Sequence, residues 1–405
     1  MGIFSLKHLS VQVKQYLVIT GNYWAFTLTD GALRMLIVLY FHQLGYTPLS
    51  IAMLFLFYEI FGVITNLIGG WLGARLGLNK TMNIGLAIQV LALCLLTVPS
   101  EMLTVVYVMV AQALSGIAKD LNKMSAKSSI KLLISDGNEG KLYKWIAILT
   151  GSKNALKGVG FFLGGLLLTL LGFKGAILLM VVLLTLVWIF SLIVLKEDLG
   201  KAKSKPKFKD IFSKSSSINT LSAARMFLFG ARDVWFVVAL PVFLAVTFDW
   251  DHWWVGGFMA SWVIGYGIVQ SIAPYFTGKK QGKTPSGRTA FYWASYLAII
   301  PLAIALALHF DFYIEISIVV GLLIFGGVFA INSSLHSYLI VSYAGREGVS
   351  LDVGFYYMAN AMGRLIGTVL SGWVYQEHGL EACLWISSAF VAIASLLSLK
   401  LKDNK

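Results

Sequence analysis

Apolar runs of about 20 residues, the length that crosses roughly 30 Å of hydrocarbon as a helix, follow one another along almost all of the 405-residue chain. Cut at polar and Gly/Pro punctuation, they fall at 16–40, 49–72, 81–99, 102–122, 143–171, 175–195, 220–246, 255–276, 289–308, 315–339, 351–374 and 381–399. Inside lipid every backbone donor and acceptor must be paired, and an open sheet edge would leave them bare, so these runs read as helices. Composition agrees: with 58% hydrophobic and 13% charged residues, the chain lacks the polar surface to coat a water-soluble globule of this size. The expected fold class is an all-α integral membrane protein with twelve transmembrane helices in two pseudo-symmetric six-helix bundles.

The net charge of +13 suggests a polyanion partner only until the charges are located. With a cytoplasmic N-terminus, Lys7, Lys14, Arg75, Lys80, Lys123, Lys127, Lys131, Lys141, Lys144, the run from Lys196 to Lys214, Lys279, Lys280, Lys283, Arg288, Arg346, Lys400, Lys402 and Lys405 all fall inside. The outer loops then carry Glu101, Asp249, Asp251, Asp311, Glu377 and Glu381 against Lys174. This is the positive-inside pattern, and it sets both termini in the cytoplasm with no nucleic-acid partner. The first fifteen residues hold no apolar core before a cleavage site, so no removable signal peptide is expected and the first span directs insertion. Cys94 and Cys383 both lie in apolar runs, which gives neither a disulfide framework nor metal-ligand spacing. No cofactor and no metal is expected.

The segment KEDLGKAKSKPKFKDIFSKSSS is too basic and polar to pack a core and reads as a cytoplasmic linker able to lie on anionic headgroups. It separates an N-terminal bundle, 1–195, from a C-terminal bundle, 220–405, with the linker at 196–219. The halves repeat. Lys157, Gly160, Gly165 and Gly172 match Arg364, Gly367, Gly372 and Gly379 at a constant offset of 207, and Phe26 with Asp30 matches Phe229 with Asp233 at 203. Within the first half, Gly70 to Gly77 echoes Gly165 to Gly172, as inverted three-helix repeats would.

Charges inside the spans cost roughly 2.5–3.5 kcal/mol each on insertion scales and so mark function. Asp30 and Arg34 lie in span one; Glu59 and Asn66 in span two; Lys119, Asp120 and Lys123 at the end of span four; Lys153, Asn154 and Lys157 in span five; Arg225, Arg232 and Asp233 in span seven; Arg364 in span eleven. Seven cations (Arg34, Lys119, Lys153, Lys157, Arg225, Arg232, Arg364) face four carboxylates (Asp30, Glu59, Asp120, Asp233). The surplus points to an anionic ligand, because a buried cation is tolerated where water or an anion completes it. Arg suits phosphate-like oxyanions through its planar fork, and Lys acts as a point charge. Arg34, Lys119, Lys153, Lys157, Arg232 and Arg364 are the candidate substrate-binding residues. Asp30, Glu59, Asp120, Asp233 and His336 are the candidates for proton coupling or gating, with Glu59 foremost because its own helix offers it no cation. Blander readings stand beside these: Asp30 and Arg34 as a self-neutralising i,i+4 pair, Lys119 and Lys123 snorkelling to the surface, Arg225 touching headgroups near the start of its span, and His336 as a packing residue.

Twelve spans in two halves around a basic loop resemble the major facilitator superfamily, and Gly70-Trp71-Leu72-Gly73-Ala74-Arg75-Leu76-Gly77 resembles its loop motif after span two, with Ala74 where the family has Asp. That resemblance implies the major facilitator fold, with spans one, four, seven and ten lining a central cavity and two, five, eight and eleven beside it. The segments NYWAFTLTDGALRML, GIAKDLNKMSAKSSIKLL, ILTGSKNALKGVGFFLGG and LFGARDVWFVVALP resemble the ArsJ organoarsenical efflux permeases through nearly the whole chain. This implies an antiporter or other efflux transporter of the bacterial cytoplasmic membrane. Its substrate would be 1-arseno-3-phosphoglycerate, formed when glyceraldehyde-3-phosphate dehydrogenase uses arsenate in place of phosphate, and its effect arsenate resistance. Arg34, Lys153 and Lys157 would then hold one anionic end and Arg232 and Arg364 the other, in a monomer that needs no second chain.

A phosphate-ester exchanger shares this chemistry. A pump for cationic drugs would show surplus buried carboxylate, and an enzyme would need a His-Asp pair, metal cluster or phosphate loop at the membrane surface. The topology is checked with reporter fusions: a periplasm-dependent alkaline phosphatase is expected to be active when fused near Glu101 or Asp249 and inactive when fused within 196–219, and the reverse pattern would invert the orientation.

Overall fold

The protein's structure is a computed structural model describing residues 10–46, 54–134, 137–195, 199–202, 207, 215–250, 252–277, 285–346 and 348–401. The basic linker at 196–219 lies largely outside these residues, as do Lys7, Lys279, Lys280, Lys283, Lys402 and Lys405. Among the described residues the regular structure is helical: α1 (Val11–Gln43), α2 (Leu56–Leu76), α3 (Leu78–Leu95), α4 (Val105–Leu133), α5 (Glu139–Val194), α6 (Ser216–Phe236), α7 (Ala239–Thr247), α8 (His252–Thr277), α9 (Gly287–His309), α10 (Ile314–Tyr343) and α11 (Val349–Ser398), with one 3-10 turn at Ser100–Met102.

These helices account for the twelve expected spans. α5 and α11 each hold two, broken at Gly172 (φ 67°) and Gly379 (φ 76°). Both breaks fall on paired glycines of the repeat, and Gly77, the third glycine of that pattern, takes φ 97° between α2 and α3. A positive φ is open to glycine at little cost and strains most other residues, so the repeated glycine marks where one span turns into the next. Span seven is interrupted at 237–238, where the Ser371 hydroxyl accepts from the backbone N–H of Val238 and Ala239 at 3.2 and 3.1 Å and so caps α7. Thr104 caps α4 and Ser215 caps α6 by accepting from Tyr107 and Ile218, and Ser286 with Thr289 forms a capping box on α9. Hydroxyl caps satisfy donors that a helix start leaves unpaired.

By contact the chain divides into two compact units. Unit 1 comprises residues 1–145, 159–212 and 344–354, and unit 2 comprises 146–158, 213–343 and 355–405. They differ from the halves read from the repeat: residues 146–158 of α5 group with unit 2, and residues 344–354, which include the start of α11, group with unit 1.

In unit 1, α4 packs against α3, α2 and α1. Glycine sets the approach of the remaining elements. A Cβ on Gly160 would stand 2.8 Å from the Leu28 carbonyl oxygen, so α5 lies backbone to backbone on α1. A Cβ on Gly354 would stand 2.6 Å from the Asn66 carbonyl oxygen, and the Ser350 hydroxyl donates to the Gly70 carbonyl at 2.8 Å. Thus the start of α11 is keyed into α2 at Asn66 and Gly70.

In unit 2, α10 packs between α8 and α9 and also meets α6, over a core of Trp235, Trp262, Phe325 and Phe329. Gly367, the repeat partner of Gly160, repeats the close approach: its Cβ would stand 2.7 Å from the Gly230 carbonyl oxygen, laying α11 on α6. The duplication seen in sequence is therefore a duplicated packing contact. Residues 146–158 of α5 lie on α8 the same way, since a Cβ on Gly267 would stand 2.5 Å from the Ala155 nitrogen. Leu178, Val182, Leu183, Leu186, Ile189, Phe190 and Ile193 are exposed along residues 173–194 of α5, the apolar surface that lipid covers.

Gly267→Ala is expected to destabilise the protein by about 1–3 kcal/mol through overpacking. Gly265→Ala, two residues away with open space at its Cβ, is expected to stabilise it by about 0.5–1 kcal/mol through helix entropy. Thermal unfolding of the detergent-solubilised protein reads both, and equal effects would remove the seam from the account.

Candidate functional site

Each unit gathers charge, in different proportion. In unit 1, Tyr58 of α2 is the centre. Its hydroxyl donates to both carboxylate oxygens of Asp30 of α1, at 2.8 and 3.1 Å. Its ring faces two cations, with the Arg34 guanidinium carbon 4.6 Å and the Lys119 ammonium 3.9 Å from the centroid. Arg34 pairs with Glu59 at 3.4 Å, and Asp120 of α4 takes Lys123 at 2.5 Å and Lys119 at 3.6 Å. Three cations thus meet three carboxylates.

Two expectations change in detail. Asp30 and Arg34, one turn apart on α1, reach across to Tyr58 and Glu59 of α2. Glu59, read as lacking a cation on its own helix, receives one from another. Sequence gave no reason to single out Tyr58, whose role follows from its position between α1 and α4.

In unit 2, Asp233 of α6 is fully buried and joins two arginines, Arg232 at 2.5 Å and Arg364 of α11 at 3.2 Å. One carboxylate with two guanidinium groups leaves a net positive triad. Arg232 also lies over Phe229, Phe329 and Phe236, 4.9, 5.5 and 5.7 Å from their centroids, which orients the fork and lowers the cost of its burial.

Lys153 and Lys157, expected to work with Arg34, lie in unit 2. Lys153 donates to Asn154 at 3.2 Å, Asn154 to Gln270 at 2.6 Å, and Gln270 to the Ser333 hydroxyl at 3.0 Å. Tyr266 donates to the same hydroxyl at 2.9 Å. Arg225 donates to the Ser333 carbonyl at 3.2 Å and to Asn360 at 2.8 Å. A line of neutral amides and hydroxyls across α5, α8, α10, α6 and α11 therefore connects Lys153 to Arg225.

Arg225, read from sequence as a headgroup contact, is only 2% exposed. The signal that would have placed it was the cap: counted from Ser215 it stands ten residues into α6, about 15 Å along the axis at 1.5 Å per residue. His336 is fully buried, and neither ring nitrogen has a hydrogen-bond partner. Among the described residues no group of three His, Cys, Asp or Glu side chains converges on a metal position. Of the charges singled out in the spans, unit 2 holds five cations, Lys153, Lys157, Arg225, Arg232 and Arg364, against Asp233 alone.

The sequence matches the Major Facilitator Superfamily over residues 19–351, well over half of the chain. The chain belongs to this superfamily. Solved structures of the fold superpose on it closely: the E. coli fucose:proton symporter FucP (TM-score 0.74, 12% identity, 98% of this chain and 100% of that one), the human organic anion transporter TETRAN (0.76, 15%, 96% and 100%) and an outward-facing bacterial homologue of the iron transporter ferroportin (0.72, 14%, 95% and 99%). No curated protein sequence matches. Superfamily membership and these neighbours make this a multi-pass membrane protein with a transport function.

Asp233→Asn is expected to destabilise the protein by about 3–5 kcal/mol, because it removes the fully buried carboxylate that holds two partly buried guanidinium groups. Tyr58→Phe, which removes one hydrogen bond to Asp30, is expected to cost about 1–3 kcal/mol. Comparing the two by thermal unfolding checks the ranking, and a harmless Asp233→Asn would show that water replaces the carboxylate.

Proposed function

We propose that the protein exports a small organic polyanion from the cytoplasm by alternating access, that this substrate is the organoarsenical 1-arseno-3-phosphoglycerate, and that export confers arsenate resistance. The observation that supports the anionic reading is that, of the charges singled out within the spans, unit 2 holds five cations and one carboxylate, with Arg232 and Arg364 held by a shared Asp233 rather than neutralised by it. Guanidinium forks bind phosphate- and arsenate-like oxygens bidentately, and the surplus gives an anion a large electrostatic reward in a weakly polar surround. The organoarsenical identity rests on the sequence segments around Asp30, Lys119, Lys153 and Arg232. Glyceraldehyde-3-phosphate dehydrogenase would supply the substrate from arsenate inside a bacterial cell, with the carrier acting as a monomer in the cytoplasmic membrane and both its termini inside.

The balanced cluster of unit 1 suits coupling. A proton on Glu59 would release Arg34, and a proton on Asp30 would remove the charge that Tyr58 stabilises, so Asp30, Glu59 and Asp120 are the groups whose protonation would reset that cluster. In unit 2, Asp233 is the gating carboxylate and His336 the remaining titratable group.

Everted vesicles containing the protein are expected to take up the product that the dehydrogenase forms with arsenate, faster than the one it forms with phosphate. Equal uptake of both would replace the organoarsenical reading with a phosphate-ester exchanger. Arg364→Gln is expected to lower uptake roughly tenfold or more, equivalent to about 1.4 kcal/mol, and full activity in that variant would remove unit 2 from substrate binding.

A further inference from the structure

Arg225 is the buried cation of unit 2 that the triad around Asp233 does not explain. Its partners are an amide oxygen, a backbone carbonyl and two rings, with its guanidinium carbon 3.9 Å from the Phe229 centroid and 5.3 Å from that of Tyr356. No carboxylate pairs with it among the described residues. Such a charge is expensive to bury unless something anionic completes it.

Its relation to Arg232 gives the site a dimension. The two arginines stand seven residues apart, two turns along one face of α6, and both lie over Phe229, Arg232 at 4.9 Å and Arg225 at 3.9 Å from the same centroid. Their guanidinium groups cannot be further apart than those two distances laid end to end. Two like charges that close, in low dielectric, repel strongly, and Asp233 serves only the Arg232 side. His336, with both ring nitrogens unbonded, is a further buried polar group of unit 2.

We propose that Arg225 is a second oxyanion-holding residue of this site, so that unit 2 by itself engages a compact ligand with two oxyanion groups, one at Arg232 and Arg364 and the other at Arg225, beside the Phe229 ring that both Arg225 and Arg232 face. This rests on the anionic-substrate reading above and sharpens it: the ligand class is a short-chain molecule carrying oxyanions at both ends, and Arg225 distinguishes it from a single oxyanion.

The test uses purified protein in liposomes and two probes, 3-phosphoglycerate with two oxyanion groups and inorganic phosphate with one. Arg225→Met removes the cation. Asn360→Asp leaves the arginine in place and sets a carboxylate against its Nε, neutralising the site while supporting the fold. Both are expected to raise KM for 3-phosphoglycerate roughly tenfold and to leave KM for phosphate within about twofold, with Arg225→Lys between wild type and Arg225→Met. If wild type transports both probes and Asn360→Asp, still stably folded, shifts both KM values alike or neither, the assignment of Arg225 is wrong while the anionic reading stands. If wild type neither transports either probe nor takes up the dehydrogenase's arsenate product, the anionic reading fails and this proposal with it.

Discussion

A charge carried into hydrocarbon must be met by something the protein itself provides, and the arrangement of side chains in both units follows from that demand. One carboxylate serving two cations is the recurring answer: Asp120 takes Lys119 and Lys123, and Asp233 takes Arg232 and Arg364. Aromatic faces supply the rest, Tyr58 in unit 1 and Phe229 in unit 2. In unit 1 the remaining Asp30, Arg34 and Glu59 restore neutrality. In unit 2 no carboxylate remains after Asp233 among the charges singled out, and the positive surplus is what a transported anion would meet.

The duplication of the chain makes this difference informative. Asp30 and Asp233 are repeat partners, as are Gly160 and Gly367, and the glycines make the same close contact in the two units. The carboxylates do not play the same part. Asp30 accepts from a phenol and Asp233 joins two arginines. Two copies of one packing scheme have thus diverged in electrostatics, one with a carboxylate that accepts from a phenol and the other with a carboxylate shared by two arginines.

Much of the fold was legible because membrane helices announce themselves by length and hydropathy, and because glycines at spacings of seven and offsets of 207 mark turns that only a positive φ allows. The site was legible in part. Counting cations against carboxylates identified a surplus, since total charge does not depend on where helices lie. Its location did depend on that: Lys153 and Lys157 precede the switch of α5 from unit 2 to unit 1, a boundary invisible in the sequence. Arg225, counted among the span cations with a headgroup contact beside that reading, had its depth hidden because its span was cut at 220 while the helix starts at Ser216, and Tyr58 and Gln270 gave no signal because a lone tyrosine or amide gains meaning only from what surrounds it.

The glycine seams carry a consequence of their own. Where residues 146–158 of α5 meet α8, and where the start of α11 meets α2, the contact is largely backbone on backbone. Large side chains locked at a contact surrender rotamer freedom when it forms and regain it when it parts, and they bury apolar area that must be exposed again. Gly151 with Gly267 in unit 2, and Gly70 with Gly354 in unit 1, have almost no rotamers to freeze and little apolar area to uncover. Each seam registers its two helices tightly yet asks little of them to separate, which is how a bearing differs from a weld.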